Sequence, residues 1–314
     1  MFRRGRSRIA SARVQPTAVV IGHRGCRREG SGAVQRPTGW FLGLATFDVI
    51  HLVDRQPGPN EKIRAIRQTV AAGGPATNAA VTFQHLGGAA TLHTRLGATP
   101  LAGVIKEELT GLGVEIVDWS SGAGDEPPTS AISVLADSGD RAVTSTPGQL
   151  RDELLPESLP GATPDVVLVD GYYPNLVAGL LQKLDPKPLV VFDGGSYKSN
   201  FDSLMEFVDI AILSADFTAP NGDLYSYFAE RGVDKVAVTS GAEPVQWRDG
   251  SLRGEIAVPA VAVKDTLGAG DVFHGAACLR LATGSDLADA LAIGAQTAAR
   301  SIGSFGTRQW LRET

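Results

Sequence analysis

The chain has 314 residues, 43% of them hydrophobic, with 29 Lys+Arg against 34 Asp+Glu for a formal charge of −5. That apolar content excludes disorder along the whole chain, and two cysteines, Cys26 and Cys278, make at most one bridge, so a disulfide-stapled secreted module is excluded and reduced thiols in a cytoplasmic protein are expected. No uncharged apolar run reaches the ~18 residues of a membrane-spanning helix, so no membrane partner is expected.

The charge is unevenly spread. Residues 1–38 hold nine arginines against Glu29 alone, a net +8, which leaves −13 for the other 276 residues. An acidic body lacks the clustered cations that phosphate neutralisation needs, so nucleic acid is not expected as its partner. The head is rich in Arg, Ser and Gly, and its apolar run 18–21 is shorter than the roughly 7–15 residues of a signal-peptide core. A transit segment or a nucleic-acid arm are alternatives. The composition favours a disordered tail over residues 1–38, ahead of a single domain over 39–314.

From Gly39 the chain alternates β-branched runs with helical patterns, which predicts βαβ units and a mostly parallel sheet flanked by helices. Gly39–Val53 reads as a strand passing into a second extended segment. Ile63–Val70 and Ser130–Ser145 alternate apolar with polar residues, and Ser138-Gly139-Asp140 supplies the turn of a hairpin in the second of them. Alternation implies one wet face, so segments 48–70 and 130–146 are expected to form a small β-sheet lid. Asp165–Asp170, Leu189–Asp193 and Lys235–Thr239 are continuous apolar runs of the buried kind. Their carboxyl ends are where an open α/β sheet places ligands. Helices are expected at 77–86, 101–112, 175–184, 222–231, 270–282 and 286–301.

The segment richest in chemistry is Lys264–Ala276, KDTLGAGDVFHGA. Gly268, Ala269 and Gly270 carry almost no side chain, so backbone N–H groups can approach an anion where a helix begins. The helix start adds about half a positive charge. Asp271, in the first turn, can take a proton from a substrate hydroxyl while neighbouring amides hold phosphoryl oxygens. A bare Gly-x-Gly-Asp reads first as a tight turn with an Asp cap, Asp being among the commonest caps. No G-x-x-x-x-G-K-[ST] occurs, and no G-x-G-x-x-G opens a helix.

The string DTLGAGD (265–271) resembles, position by position, the second signature of the PfkB, or ribokinase-like, carbohydrate kinases. Asp48 in GLATFDVIHLVD and the Gly73-Gly74 pair with Asn78 in AAGGPATNAA resemble that family's sugar-binding positions. Thr239-Ser240-Gly241 resembles its turn beside the ATP phosphates, and Ser214-Ala215-Asp216 stands where the family has an element that organises magnesium. The ketohexokinase-like branch is similar around DVIHLVD and at Arg141, and the sulfofructose-kinase-like branch around GGPA and DVFHGA. Pro75, Tyr172 and Ser145 depart from substrate contacts of one branch or the other.

The resemblance implies a ribokinase-like α/β fold and an ATP-dependent kinase acting on a primary hydroxyl of a small, ketose-like sugar. Asp271 would be the base, with the Gly268–Asp271 turn as the anion hole. Asp48, Gly73, Gly74, Asn78 and Arg141 would hold substrate, and Thr239, Gly241, Ser214, Gly268 and Gly270 the nucleotide. Mg²⁺ would ride on ATP phosphates and water, with Asp216 as its one protein-side candidate; a monovalent cation is a further implied cofactor. Thr297 and Ser301 would flank adenine or stand on an ordinary helix surface. A homodimer through exposed lid strands is also implied. The rivals are a nucleoside or vitamin-precursor kinase and a non-catalytic sugar or nucleotide sensor. His51, His85 and His93 lack a second ligand at metal spacing, and His274, three residues past Asp271, either touches substrate or packs beneath the turn.

Overall fold

A computed structural model describes residues 36–120, 124–148, 159, 161–220 and 222–313; the Arg-rich head, with Cys26, lies outside the described residues except for its last three positions. Arg36 through Thr314 form one compact unit. Arg36 itself donates to the carbonyls of Gly87 and Gly88, which ties it to this unit.

In chain order the strands of the larger sheet are β1 (Thr38–Leu42), β4 (Ala89–Thr94), β5 (Glu115–Asp118), β8 (Val166–Val169), β9 (Leu189–Gly194), β10 (Ile210–Ser214), β11 (Lys235–Ser240), β12 (Glu243–Asp249) and β13 (Leu252–Ile256). They lie in the order β13-β12-β11-β10-β9-β8-β1-β4-β5. The pairings from β11 across to β5 are parallel, and β12 and β13 add an antiparallel edge. β8 is buried at every position, as strands covered on both faces require.

The helices are α1 (Pro75–His85), α2 (Pro100–Gly111), α3 (Pro174–Leu181), α4 (Leu224–Ala229), α5 (Ala269–Ala282) and α6 (Leu287–Ser301). Alternate strand residues feed two cores. Phe41, Leu168, Val191 and Ile212 pack on the side of α1, α2, α5 and α6, and Trp40, Leu42, Val169 and Phe192 on the side of α3 and α4.

A second sheet, β3-β2-β6-β7, is built from β2 (Thr46–Val53), β3 (Arg67–Gly73), β6 (Thr129–Leu135) and β7 (Arg141–Ser145). β2 pairs parallel with β6 and antiparallel with β3. Ile50, Ile132, Val134 and Phe305 give it a small core of its own, while β7 is exposed at every position. The expected strand over 63–70 is displaced: residues 61–65 carry no regular structure, and the strand runs from Arg67 into Gly73. The register Thr46↔Gly73 through Leu52↔Arg67 decides this, because the strand can start only where β2 offers backbone partners.

The hairpin between β6 and β7 docks on the segment before α5. Gly139 O accepts from Thr266 Oγ1 at 3.1 Å, and Arg141 Nη1 donates back to that hydroxyl at 3.0 Å.

Candidate functional site

The site forms where β1 ends, β3 turns into α1, and α5 begins. Asp265 opens the turn before α5: its buried carboxylate accepts from Leu267 N and Gly306 N, each at 2.8 Å. Gly268 follows as the residue before the helix, with φ 74°, a left-handed conformation that glycine adopts without a Cβ penalty. Gly270 is exposed and Asp271 half-buried. The first-turn amides of α5 have no acceptor within the helix, so this exposed end presents N–H donors to a ligand.

Helix α1 packs directly on α5 because both are small where they meet. A Cβ on Gly275 would stand 2.3 Å from Ala79 O. The close approach brings Asn78 to Asp271, with Nδ2 donating to Oδ2 at 2.7 Å. On its other side, Asn78 Oδ1 accepts from Arg308 Nη1 at 2.8 Å, and Arg308 Nε donates to Glu108 Oε1 at 2.9 Å. Burial pulls the Arg308 guanidinium below its usual range, while Glu108, Asp48 and Asp271 pull it back up.

Asp48 on β2 is buried, and Thr46 Oγ1 donates to its Oδ1 at 2.6 Å. Burial raises its pKa, with Thr46, Ser130 and Arg308 opposing and the charge of Asp271 adding to the rise. Gly73 lies against this carboxylate: a Cβ there would stand 1.9 Å from Asp48 Oδ2. Gly74 precedes α1, which has no side-chain cap of its own. Instead Asp170, at the end of β8, accepts from Ala76 N at 3.2 Å, Leu44 N at 2.8 Å and Tyr172 N at 3.0 Å. Burial pushes the Asp170 carboxyl up to about 6, against those three amides.

The expected residues therefore fall into four groups. Asp48, Gly73, Gly74, Asn78 and the Gly268–Asp271 turn come together. Arg141 is exposed at the docked hairpin, bonded to Thr266, two residues before Gly268. Ser214, Thr239 and Gly241 sit at the carboxyl ends of β10 and β11, where Thr239 Oγ1 donates to Leu213 O at 3.2 Å and Ala215 N to Thr239 O at 2.8 Å. Asp216 is exposed beside them. Thr297 and Ser301 hydrogen-bond carbonyls of their own helix, Ile293 and Ala298.

Arg308 and Asp170 have no counterpart among the sequence expectations. The signal for Asp170 was its place at the end of a buried strand; Arg308 gave none, since its partners are as far as 236 residues away.

His93 is buried between the rings of Trp40 and Trp119, and burial pulls it down to about 3. No cluster of three or more His, Cys, Asp or Glu able to hold a metal occurs among the described residues. Among those residues, no helix is long and apolar enough to cross a membrane.

The family model for pfkB carbohydrate kinases matches residues 40–187 and 212–313. Ketohexokinase of Mus musculus is 26% identical over 293 residues, covering 84% of this chain and 96% of the relative, and ribokinase of Bacillus subtilis (strain 168) is 25% identical over 291 residues, covering 85% and 93%. The structure of ribokinase from Cryptococcus neoformans var. grubii serotype A in complex with ADP superposes with a TM-score of 0.67 at 19% identity, covering 89% of this chain and 97% of that one. The α/β architecture, the glycine turn at the start of α5 and the match along both halves of the chain agree: this protein belongs to the pfkB family of carbohydrate kinases.

Proposed function

We propose that the chain transfers the γ-phosphate of ATP to a primary hydroxyl of a small, ketose-like sugar, with Asp271 as general base. The observation that carries this reading is the 2.7 Å hydrogen bond from Asn78 to Asp271 at the exposed start of α5, beside buried Asp48. A carboxylate with one oxygen held by an amide keeps a single orientation, and its other oxygen remains for a substrate hydroxyl.

Asp48 and Asn78 hold sugar hydroxyls, and Gly73 and Gly74 leave room for the ring beside them. The hydroxyl gives its proton to Asp271 as its oxygen attacks the γ-phosphorus, the bond to the β,γ-bridging oxygen breaks, and ADP leaves. Gly268, Gly270 and Asp271 offer their amides to the oxygens of the group in transit, where charge is to be stabilised, while the expected donor Ala269 N is held by Thr266 O at 3.3 Å and only lines the turn. The nucleotide lies toward the ends of β10 and β11, against Thr239, Gly241 and Ser214. Asp216 and the nucleotide phosphates are the oxygen donors that would hold Mg²⁺ there, and the ion would neutralise phosphate charge. Arg141, on the hairpin docked beside the turn, contributes a cation at the lid side and helps close the site against water, the competing acceptor.

The test is ADP release measured across plain, phosphorylated and sulfonated sugars with nucleosides alongside. Release dependent on a ketose is expected. Release only with nucleosides would replace the substrate class, and none with any acceptor would support a binding protein.

A further inference from the structure

His274 is a buried titratable group that the proposed chemistry does not use. It is 4% exposed, on α5 one turn beyond Asp271. Both of its ring nitrogens face backbone carbonyls: Nδ1 lies 2.7 Å from Gly270 O and Nε2 lies 3.1 Å from Ile212 O. A carbonyl oxygen only accepts, and a neutral imidazole has one N–H and one lone pair. A neutral ring would therefore turn a lone pair against a carbonyl oxygen, whereas an imidazolium donates to both.

A counter-charge is in place. Asp193, at the end of β9, is buried and lies with Oδ2 3.5 Å from His274 Nδ1. Burial pushes the Asp193 carboxyl up to about 7, with His274 opposing and the charges of Asp271 and Asp170 adding. Asp193 and His274 share a proton, and the two carbonyls facing the ring decide that it sits on the imidazole. The other titratable groups that bear on the pair are Asp271 one turn before it, Asp170 from β8, and Cys278 one turn after it, whose thiol burial and Asp193 hold neutral.

We infer that His274 is held as an imidazolium paired with Asp193, and that it acts as a positioning residue clamping the phosphoryl-binding turn onto β10. One hydrogen bond ends on Gly270, inside that turn, and the other on Ile212, two residues before Ser214 at the nucleotide edge. The clamp sets the turn against that edge and places a positive charge behind the amides that meet the transferring group. The mechanical role rests on the kinase reading; the protonation state does not.

The experiment is ¹⁵N NMR of the full chain labelled at histidine. The His274 signals are assigned by loss in His274→Gln or, if that variant does not fold, by replacing the other four histidines in turn. Both ring nitrogens of His274 should carry a proton at neutral pH, where a neutral imidazole has a single N–H. In Asp193→Asn the ring should show that single N–H, since burial then acts on the imidazolium without its partner. A single N–H at neutral pH in the wild type, or no change in Asp193→Asn, would overturn the assignment. In kinetics, His274→Gln should lower kcat on the order of 10-fold while sugar KM stays within about two-fold, as befits a group acting through the turn; equal loss in both would place its role elsewhere. A wild type without kinase activity would remove the proposed function and leave the NMR result standing.

Discussion

The amide of Asn78 links Arg308 to Asp271: its oxygen accepts from the guanidinium at 2.8 Å and its nitrogen donates to the carboxylate at 2.7 Å. Because Arg308 can only donate, it fixes which way the amide faces, and the Asn78 nitrogen is turned to Asp271. The orientation of the Asp271 carboxylate is set by a residue 37 positions beyond it in the chain.

Asn78→Asp replaces that donor with a second carboxylate. Like charges repel, so the Asp271 carboxylate loses the orientation that the amide gave it, and kcat should fall by about 10²-fold. An unchanged kcat would mean that the 2.7 Å contact does not persist in the working enzyme.

Arg308 also carries a fold-level load through Glu108, and removing one partner of a buried pair leaves the other uncompensated. The two side chains keep 17% and 24% exposure, so Arg308→Leu is expected to cost roughly 2–3 kcal/mol, below the ~3–5 of a fully buried pair, read from the urea midpoint. Arg308→Leu with Glu108→Leu should recover only part of that stability, since Glu108 Oε2 also accepts from Ala72 N at 2.7 Å and Arg308 donates to Ala72 O, and none of the activity, because the Asn78 amide is then free to turn. Recovery of both would make Arg308 a structural residue only.

Gly73→Ala tests the sugar side. Its Cβ would stand 1.9 Å from Asp48 Oδ2 and 2.6 Å from Thr46 Oγ1, so the carboxylate must move. Sugar KM should rise by about 10²-fold, the scale of a misplaced positioning group, with nucleotide KM unchanged. A matching rise in nucleotide KM would argue that Asp48 does not serve the sugar.

Asp170 predicts a pH dependence of stability. Its carboxyl is pushed from an ordinary 3.8 up to about 6 by burial, so between those values the folded protein holds a proton that the unfolded chain has released. Its contribution is fully present below about pH 4 and is lost as pH rises through about 6, a change on the order of 3 kcal/mol. Asp170→Asn should flatten that part of the stability curve in denaturant titrations at fixed pH values, and an unchanged slope would count against it.

Much of this architecture was legible in the sequence. The three continuous apolar runs became β8, β9 and β11, and the six helices appeared within a few residues of their expected positions. β4 (AATLHT) was not marked because it mixes polar residues into a short run with no period of its own, whereas β10 (IAILS) is as short and apolar as the runs that were marked and differs from them in no local signal. The start of β3 is displaced because alternation reports a face but not where pairing begins. At the site, DTLGAGD was visible as a contiguous string, and Asp48 and Asn78 through the resemblance of their motifs and their order ahead of it. Arg308 was not: it meets Asn78 across 230 residues of chain, and nothing around it sets it apart from any arginine near a terminus. His274 was seen but its role stayed open until two carbonyls were found against its ring.

The most direct test of the central claim is the turnover of Asp271→Asn with ATP and the sugar found to support ADP release. The amide keeps the shape and cannot take the proton. A fall in kcat of about 10²–10⁴-fold with sugar KM largely kept is expected of a lost general base. Turnover near that of the wild type would contradict the assignment of Asp271, and with it the proposed mechanism.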